Sequence, residues 1–287
     1  MAGDRTKAAM TARRKKTPRV IPGFGLSMGI TLGFLGVIVL IPLASIVISS
    51  SGLGLEGFFR VVTGRRIMAG IRVSFLCTFI AASINAVFGV MLAWVLVRYK
   101  FPGKRFADGL IELPFALPTA VAGISLAAVY SSRGVIGSLF ERAGISVAYT
   151  RIGITVAIVF ITIPFVVRTI QPVLEKLDPQ YEEAAAMLGA GRVRIFFQIV
   201  FPEILPALLT GFGLAFARGL GEYGSVVFIA GNRPFQTEIA PLLIMNKLQQ
   251  FDYQGATAIA LVMLIASFGI LLLINTIQLY YGKFIRD

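Results

Sequence analysis

Between Arg19 and Glu56 the chain runs for 36 residues without a charged side chain, and between Asp252 and Lys283 for another 30. A helix rises about 1.5 Å per residue, so about 20 apolar residues cross the roughly 30 Å hydrocarbon layer of a bilayer. Four further runs obey the same arithmetic: Val73 to Val97; Leu113 to Ser132, which carries Pro114 and Pro118; Ile152 to Val167, which must continue past Arg168 to cross; and a run from near Ile204 to about Gly231, interrupted by Arg218 and Glu222. The expectation is an all-α membrane protein of six transmembrane helices. The spans fall at about 24–49, 71–97, 113–132, 152–173, 204–231 and 254–281, in a membrane domain 21–283 that follows a basic tail, 1–20. The first run is too long for a signal peptide and precedes no small-residue cleavage site. Composition agrees: 56% of the residues are apolar and 14% charged, against roughly 25% charged in a soluble domain, too few to cover a water-facing surface.

Other counts exclude chemistry. Without histidine there is no His-based zinc site, Ser-His-Asp triad or Cys-His dyad, and the single cysteine, Cys77, cannot close an intrachain disulfide. No G-x-x-x-x-G-K-[ST] stretch occurs, so the chain has no P-loop with which to bind ATP. A net charge of +13 would suit nucleic acid only on a polar domain with a basic groove. Here the cations sit at membrane edges, and no nucleic-acid partner is expected. The tail and the second, fourth and last connections hold 17 Lys and Arg, the alternate connections 9, with Arg218 inside a span. The positive-inside rule then places both termini in the cytoplasm, the basic tail touching anionic lipid.

The cytoplasmic loop at 175–203 is the most informative segment. Asp178-Pro179 starts a helix, with Glu182 and Glu183 in its early turns, where carboxylates suit the dipole. Ala184 to Leu188 are strong helix formers. Gly189 ends the helix, being the residue most easily placed in a left-handed C-terminal position. A second amphipathic stretch, Arg192 to Val200, leads to Pro202 and the next span. Two short helices joined by a tight turn make an object that can dock in a groove on a soluble partner.

The order Glu183-Ala184-Ala185, Gly189, then Ile199-Val200-Phe201-Pro202 resembles the EAA loop of ABC importer permeases, E-A-A-x3-G-x9-I-x-L-P, departing from it only at Phe201. Leu113-Pro114-Phe115-Ala116-Leu117-Pro118-Thr119-Ala120-Val121-Ala122-Gly123 resembles the third-span motif of the sulfate and molybdate members. Ile163 to Thr169, Gln171 to Glu175, Arg218 to Gly224 and Val227 to Asn232 fit the same group. Leu248 to Tyr253, Ala256 to Ala260 and Trp94 within a span that ends Arg98 to Gly103 lean towards the T-type permeases of sulfate/thiosulfate importers. A molybdate or tungstate permease stays open as the alternative.

The resemblance implies an ABC importer type I (MetI-like) permease fold in a bacterial inner membrane. It implies a second, W-type permease subunit, two copies of a sulfate ABC ATPase and a periplasmic or extracellular sulfate/thiosulfate-binding protein as partners. ATP and Mg are used by the ATPase, and this chain binds no cofactor and catalyses nothing itself. Glu183, Ala184, Ala185 and Gly189 then couple to the ATPase. Arg218 and Glu222, four apart on one helix face, are candidates for the translocation path or its gate, with a structural ion pair as the third reading. Pro118 is a candidate because a broken span frees backbone groups at a cavity. A membrane-embedded enzyme lacks a nucleophile, base or metal cluster here, and a secondary transporter would carry internal repeats, which are not found.

Overall fold

The computed structural model describes residues 24–284, so the basic tail expected at 1–20 lies outside the described residues. Among the described residues all regular structure is helical. The chain divides at Ser45/Ile46. The first unit holds α1 (Phe24–Leu35), a π-helical turn (Gly36–Leu40) and the opening of α2 (Ile41–Ser51). The turn is widened for a reason. Pro42 has no N–H to return to residue 38 and its ring crowds that carbonyl; an i→i+5 bond from Ile41 N–H to the Gly36 carbonyl relieves this. The same device recurs before Pro202, where Phe196–Val200 is π-helical and Phe201 N–H reaches the Phe196 carbonyl.

From Ile46 onward the chain builds the bundle. After α3 (Gly54–Val62) come α4 (Arg65–Arg98), α5 (Lys104–Ala116), α6 (Thr119–Tyr130), α7 (Gly137–Arg142) and α8 (Arg151–Lys176). Then follow α9 (Pro179–Met187), α10 (Arg192–Ile195), α11 (Phe201–Leu220), α12 (Val226–Ile229), α13 (Ala240–Gln249) and α14 (Tyr253–Phe284). Among the described residues five helical segments are long and apolar enough to cross a membrane, six if the bent pair α5–α6 counts as one span.

The core lies where α4, α8 and α11 pack on one another. Val90, Ala93 and Leu96 of α4 meet Val166, Ile170 and Leu174 of α8 and Ile204, Ala215 and Phe216 of α11, all buried. Lipid tails are as apolar as these side chains, so close approach and polar bonds must supply much of the association. Gly89 and Gly211 supply the first, each bringing its helix against Val166. Asn85 supplies the second: fully buried on α4, it donates its amide to the Val159 carbonyl (3.1 Å) and to Thr162 Oγ1 (2.8 Å) on α8.

Three helix ends differ from those expected of the uncharged runs. α8 continues to Lys176, three residues beyond the expected end at 173, with Arg168 inside the helix as a span that runs past it requires. The third run is two helices bent by 113°. The break falls at Pro118, not Pro114: Leu117 is extended, as a residue before proline prefers, and Pro118 becomes the N-cap of α6, while Pro114 stays inside α5. The fifth run is helical only to Leu220, not to Gly231; after a turn through Gly221–Ser225 the one-turn helix α12 follows.

Candidate functional site

The loop between α8 and α11 is built from its caps inward. Asp178 Oδ1 accepts from Gln180 N–H at 2.9 Å and Pro179 fills the first helical position, so α9 starts where its sequence dictates. At the other end Ala190 N–H reaches the Ala185 carbonyl and Gly189 N–H the Ala186 carbonyl, both at 3.0 Å. This Schellman pattern requires a left-handed residue, and Gly189 supplies it with φ +84°.

Around this turn the chain displays an apolar tip. Met187 is 84% and Leu188 90% exposed, and Tyr181 and Val193 project beside them. Glu183 and Ala184 face outward, and Ala185 is half-buried. Glu183 makes no ion pair among the described residues. Its neighbour Glu182 points the other way and meets Arg98 of α4 at 2.7 Å. Sequence reasoning missed this pair, because nothing local connects residues 98 and 182.

The second constellation lies where two interrupted helices meet. Arg218, in the last turn of α11, holds Glu222 Oε2 at 2.6 Å. The carboxylate is buried, and its other oxygen accepts from Ser225 N–H and Oγ, both at 2.9 Å; the Arg218 side chain remains 38% exposed. Arg218 and Glu222 therefore sit at a helix end and in the turn that follows, not on one continuous helix. The break at Pro118 faces this turn. A β-carbon at Gly224 would overlap Thr119 Oγ1, and one at Gly123 the Ser225 carbonyl, so both contacts depend on glycine. One turn back, Gly219 packs against Thr78 of α4 and Ile158 of α8, well inside both helices. Irregular backbone at such depth is tolerated only where protein buries it or a water-filled cavity is lined by it. The structure thus gathers Arg218, Glu222 and the Pro118 break, and keeps them apart from Glu183 and Gly189 at the bundle end.

A third cluster fastens α5 to α8. Arg168 bonds Asp108 Oδ1 (2.7 Å), the Asp108 carbonyl (3.2 Å) and Glu112 Oε1 (2.8 Å), and Phe115 stands edge-on to Phe165 above them. Two carboxylates neutralise this cation, so it offers little to an external anion. Among the described residues no three His, Cys, Asp or Glu side chains gather as metal ligands.

Comparison with known proteins adds lineage to this geometry. Residues 85–287 match the family described as binding-protein-dependent transport system inner membrane component. The sulfate transport system permease protein CysT of Salmonella typhimurium is 49% identical over 265 residues, 92% of this chain and 96% of that protein. CysT of Synechocystis is 45% identical over 90% of each chain. In structure the chain is similar to a bacterial alginate ABC transporter solved with its alginate pentasaccharide-bound periplasmic protein (TM-score 0.72, 15% identity, 89% of this chain and 93% of that one). It is also similar to the inward-facing MetNI methionine ABC transporter (TM-score 0.57, 15% identity, 75% and 96%).

Proposed function

Because this chain belongs to the family of binding-protein-dependent transport system inner membrane components, a family of multi-pass membrane permeases, we propose that it is the permease subunit of an ATP-driven importer of sulfate, with thiosulfate as a second substrate. The observation that carries this reading is the 49% identity to a sulfate permease across 92% of the chain. The relatives reported above are named for sulfate, and nothing favours molybdate.

The mechanism follows from the two constellations. The tip around Gly189 seats in a cleft of the ATPase, Glu183 meeting a cation there and Met187 and Leu188 filling an apolar groove. ATP and Mg are held by that ATPase, not by this chain. Closure of the ATPase dimer moves the tip, and the bundle of α4, α8 and α11 moves with it. The ligand states must bind the two bundle conformations with different free energies for this to do work. At the meeting of the Pro118 break and the Gly221–Ser225 turn, Arg218 presents a positive charge whose direction Glu222 fixes. Bound at both oxygens, the carboxylate keeps the guanidinium aimed while its exposed edge faces a passing dianion. The full assembly takes a W-type permease subunit, two ATPase copies and a binding protein. Both termini lie in the cytoplasm of a bacterium, on the side richer in Lys and Arg.

The test is radiolabelled sulfate uptake in cells lacking only this chain, with molybdate uptake measured in parallel. Lost sulfate uptake with normal molybdate uptake is expected. Loss of molybdate uptake alone would move the substrate, and loss of neither would overturn the substrate assignment.

A further inference from the structure

The helix at the loop tip has an unusual problem of attachment. α9 buries none of its side chains, so apolar packing cannot fix its position against the spans. It is joined through the extended Leu177–Asp178 link on one side and the Gly189 turn on the other. What ties its body to the bundle is Arg98, the last residue of α4. Arg98 Nη2 lies 2.7 Å from Glu182 Oε1 and donates to the Leu177 carbonyl at 3.1 Å, where α8 ends. Its guanidinium stands 5.8 Å from the Trp94 ring centre one turn back, and Trp94 packs edge-on at 5.5 Å against Phe196, in the π turn that opens into α11. One cation therefore touches the tip helix and the end of α8, and reaches the approach to α11 through a single ring.

We propose that Arg98 and Glu182 form a positioning strut that makes the tip helix move as one body with α4, and so passes the stroke of the ATPase into the membrane bundle. This rests on the importer reading above but concerns residues outside the EAA-type run. The pair is not a loose surface contact: the side chains are only 15% and 20% exposed, so water screens them little, and removing one partner leaves the other a partly buried unpaired charge. Arginine suits the position better than lysine, because its guanidinium pairs with the Glu182 carboxylate and bonds the Leu177 carbonyl while the planar group keeps its place over Trp94. Glu183 and Glu182 thereby divide the work, one directed at the partner and the other at the spans.

The experiment uses the assembled complex in proteoliposomes with binding protein and ATP. Spin labels go on Gln180→Cys in α9 and Met91→Cys in α4, both exposed, while the native Cys77, 1% exposed, stays unlabelled. The parent is expected to keep one narrow label-to-label distance across nucleotide states. Arg98→Gln and Glu182→Gln should each broaden that distance and lower sulfate uptake per ATP hydrolysed about ten-fold, within the roughly 5–150-fold range of coupling between sites. The exchanged pair, Arg98→Glu with Glu182→Arg, should narrow the distance again and restore part of the uptake, because it rebuilds the ion pair but not the bond to the Leu177 carbonyl. A single variant as narrow as the parent, or an exchanged pair no better than the singles, overturns the strut. A parent that takes up no sulfate would strike at the importer reading instead, while the distance measurement would still decide the strut.

Discussion

Gly189 offers a clean perturbation because its environment separates two penalties that usually come together. Its φ is +84°, yet a β-carbon there would find nothing within 4 Å. A β-carbon is therefore free of clash, and the cost of adding one is the left-handed backbone. For alanine that cost is about 1–2 kcal/mol, for valine about 1–3 kcal/mol, and for asparagine, which tolerates the region, less. The substituted loop relaxes when free and must be forced back into the turn when it docks, so the strain emerges as lost affinity. At tenfold per 1.4 kcal/mol, Gly189→Ala should weaken ATPase binding about 5–30-fold. Gly189→Val should weaken it at least as much, and Gly189→Asn least. The assay is titration of detergent-solubilised permease with purified ATPase, with the thermal midpoint of the permease alone as control. If the loop cannot relax, the penalty moves into that midpoint. Valine matching asparagine in both measurements would refute the turn as the source of the effect.

Four further outcomes are expected. Gly123→Ala drives a β-carbon into the Ser225 backbone and should cost about 1–3 kcal/mol by overpacking; a parental thermal midpoint would mean the two broken segments separate readily. Asn85→Leu removes two bonds between α4 and α8 and should cost about 0.6–1.7 kcal/mol, read by unfolding in mixed micelles. Arg218→Gln should lower uptake with insertion intact, and parental flux would leave the pair with Glu222 as a structural brace. Asp252 is held below the usual carboxylate range by the Lys247 ammonium at 2.7 Å and then by the Gly255 N–H at 2.8 Å. A depressed carboxylate stabilises the fold above its unfolded value of about 3.9 and loses that contribution as pH falls through the lower folded value. Asp252→Asn should therefore be less stable than the parent at neutral pH, and the gap should close below about pH 4; a constant gap would exclude the charge as its origin.

What could be read from the sequence was whatever a local rule controls. The Asp178-Pro179 start, the Gly189 turn and the Pro118 break each depend on one residue's allowed dihedrals, and the structure has all three. Uncharged runs report hydrophobicity and not hydrogen bonding, so they gave no sign that α11 stops at Leu220, eleven residues before the apolar stretch ends at Gly231. The fourth uncharged run stops at Val167, and only the length needed to cross carries the helix past Arg168, whose charge Asp108 and Glu112 of α5 satisfy. The Arg98–Glu182 pair was equally invisible, since neither residue's neighbours announce the other. Within Arg218-Gly219-Leu220-Gly221-Glu222 the four-residue spacing correctly suggested an ion pair but not that a turn, with Ser225, would hold the carboxylate.

The bend between α5 and α6 has a consequence for how the protein is made. At 13 and 12 residues each half measures only about 20 Å, short of the roughly 30 Å layer, so neither is a finished hydrophobic plug that the insertion machinery can release sideways into lipid. The surfaces that accept them belong to α8 and α12, both synthesised later. The halves must wait in a protected site until those segments emerge from the ribosome. A stalled or slowed chain should be most vulnerable to quality-control proteolysis in the interval between residues 130 and 229.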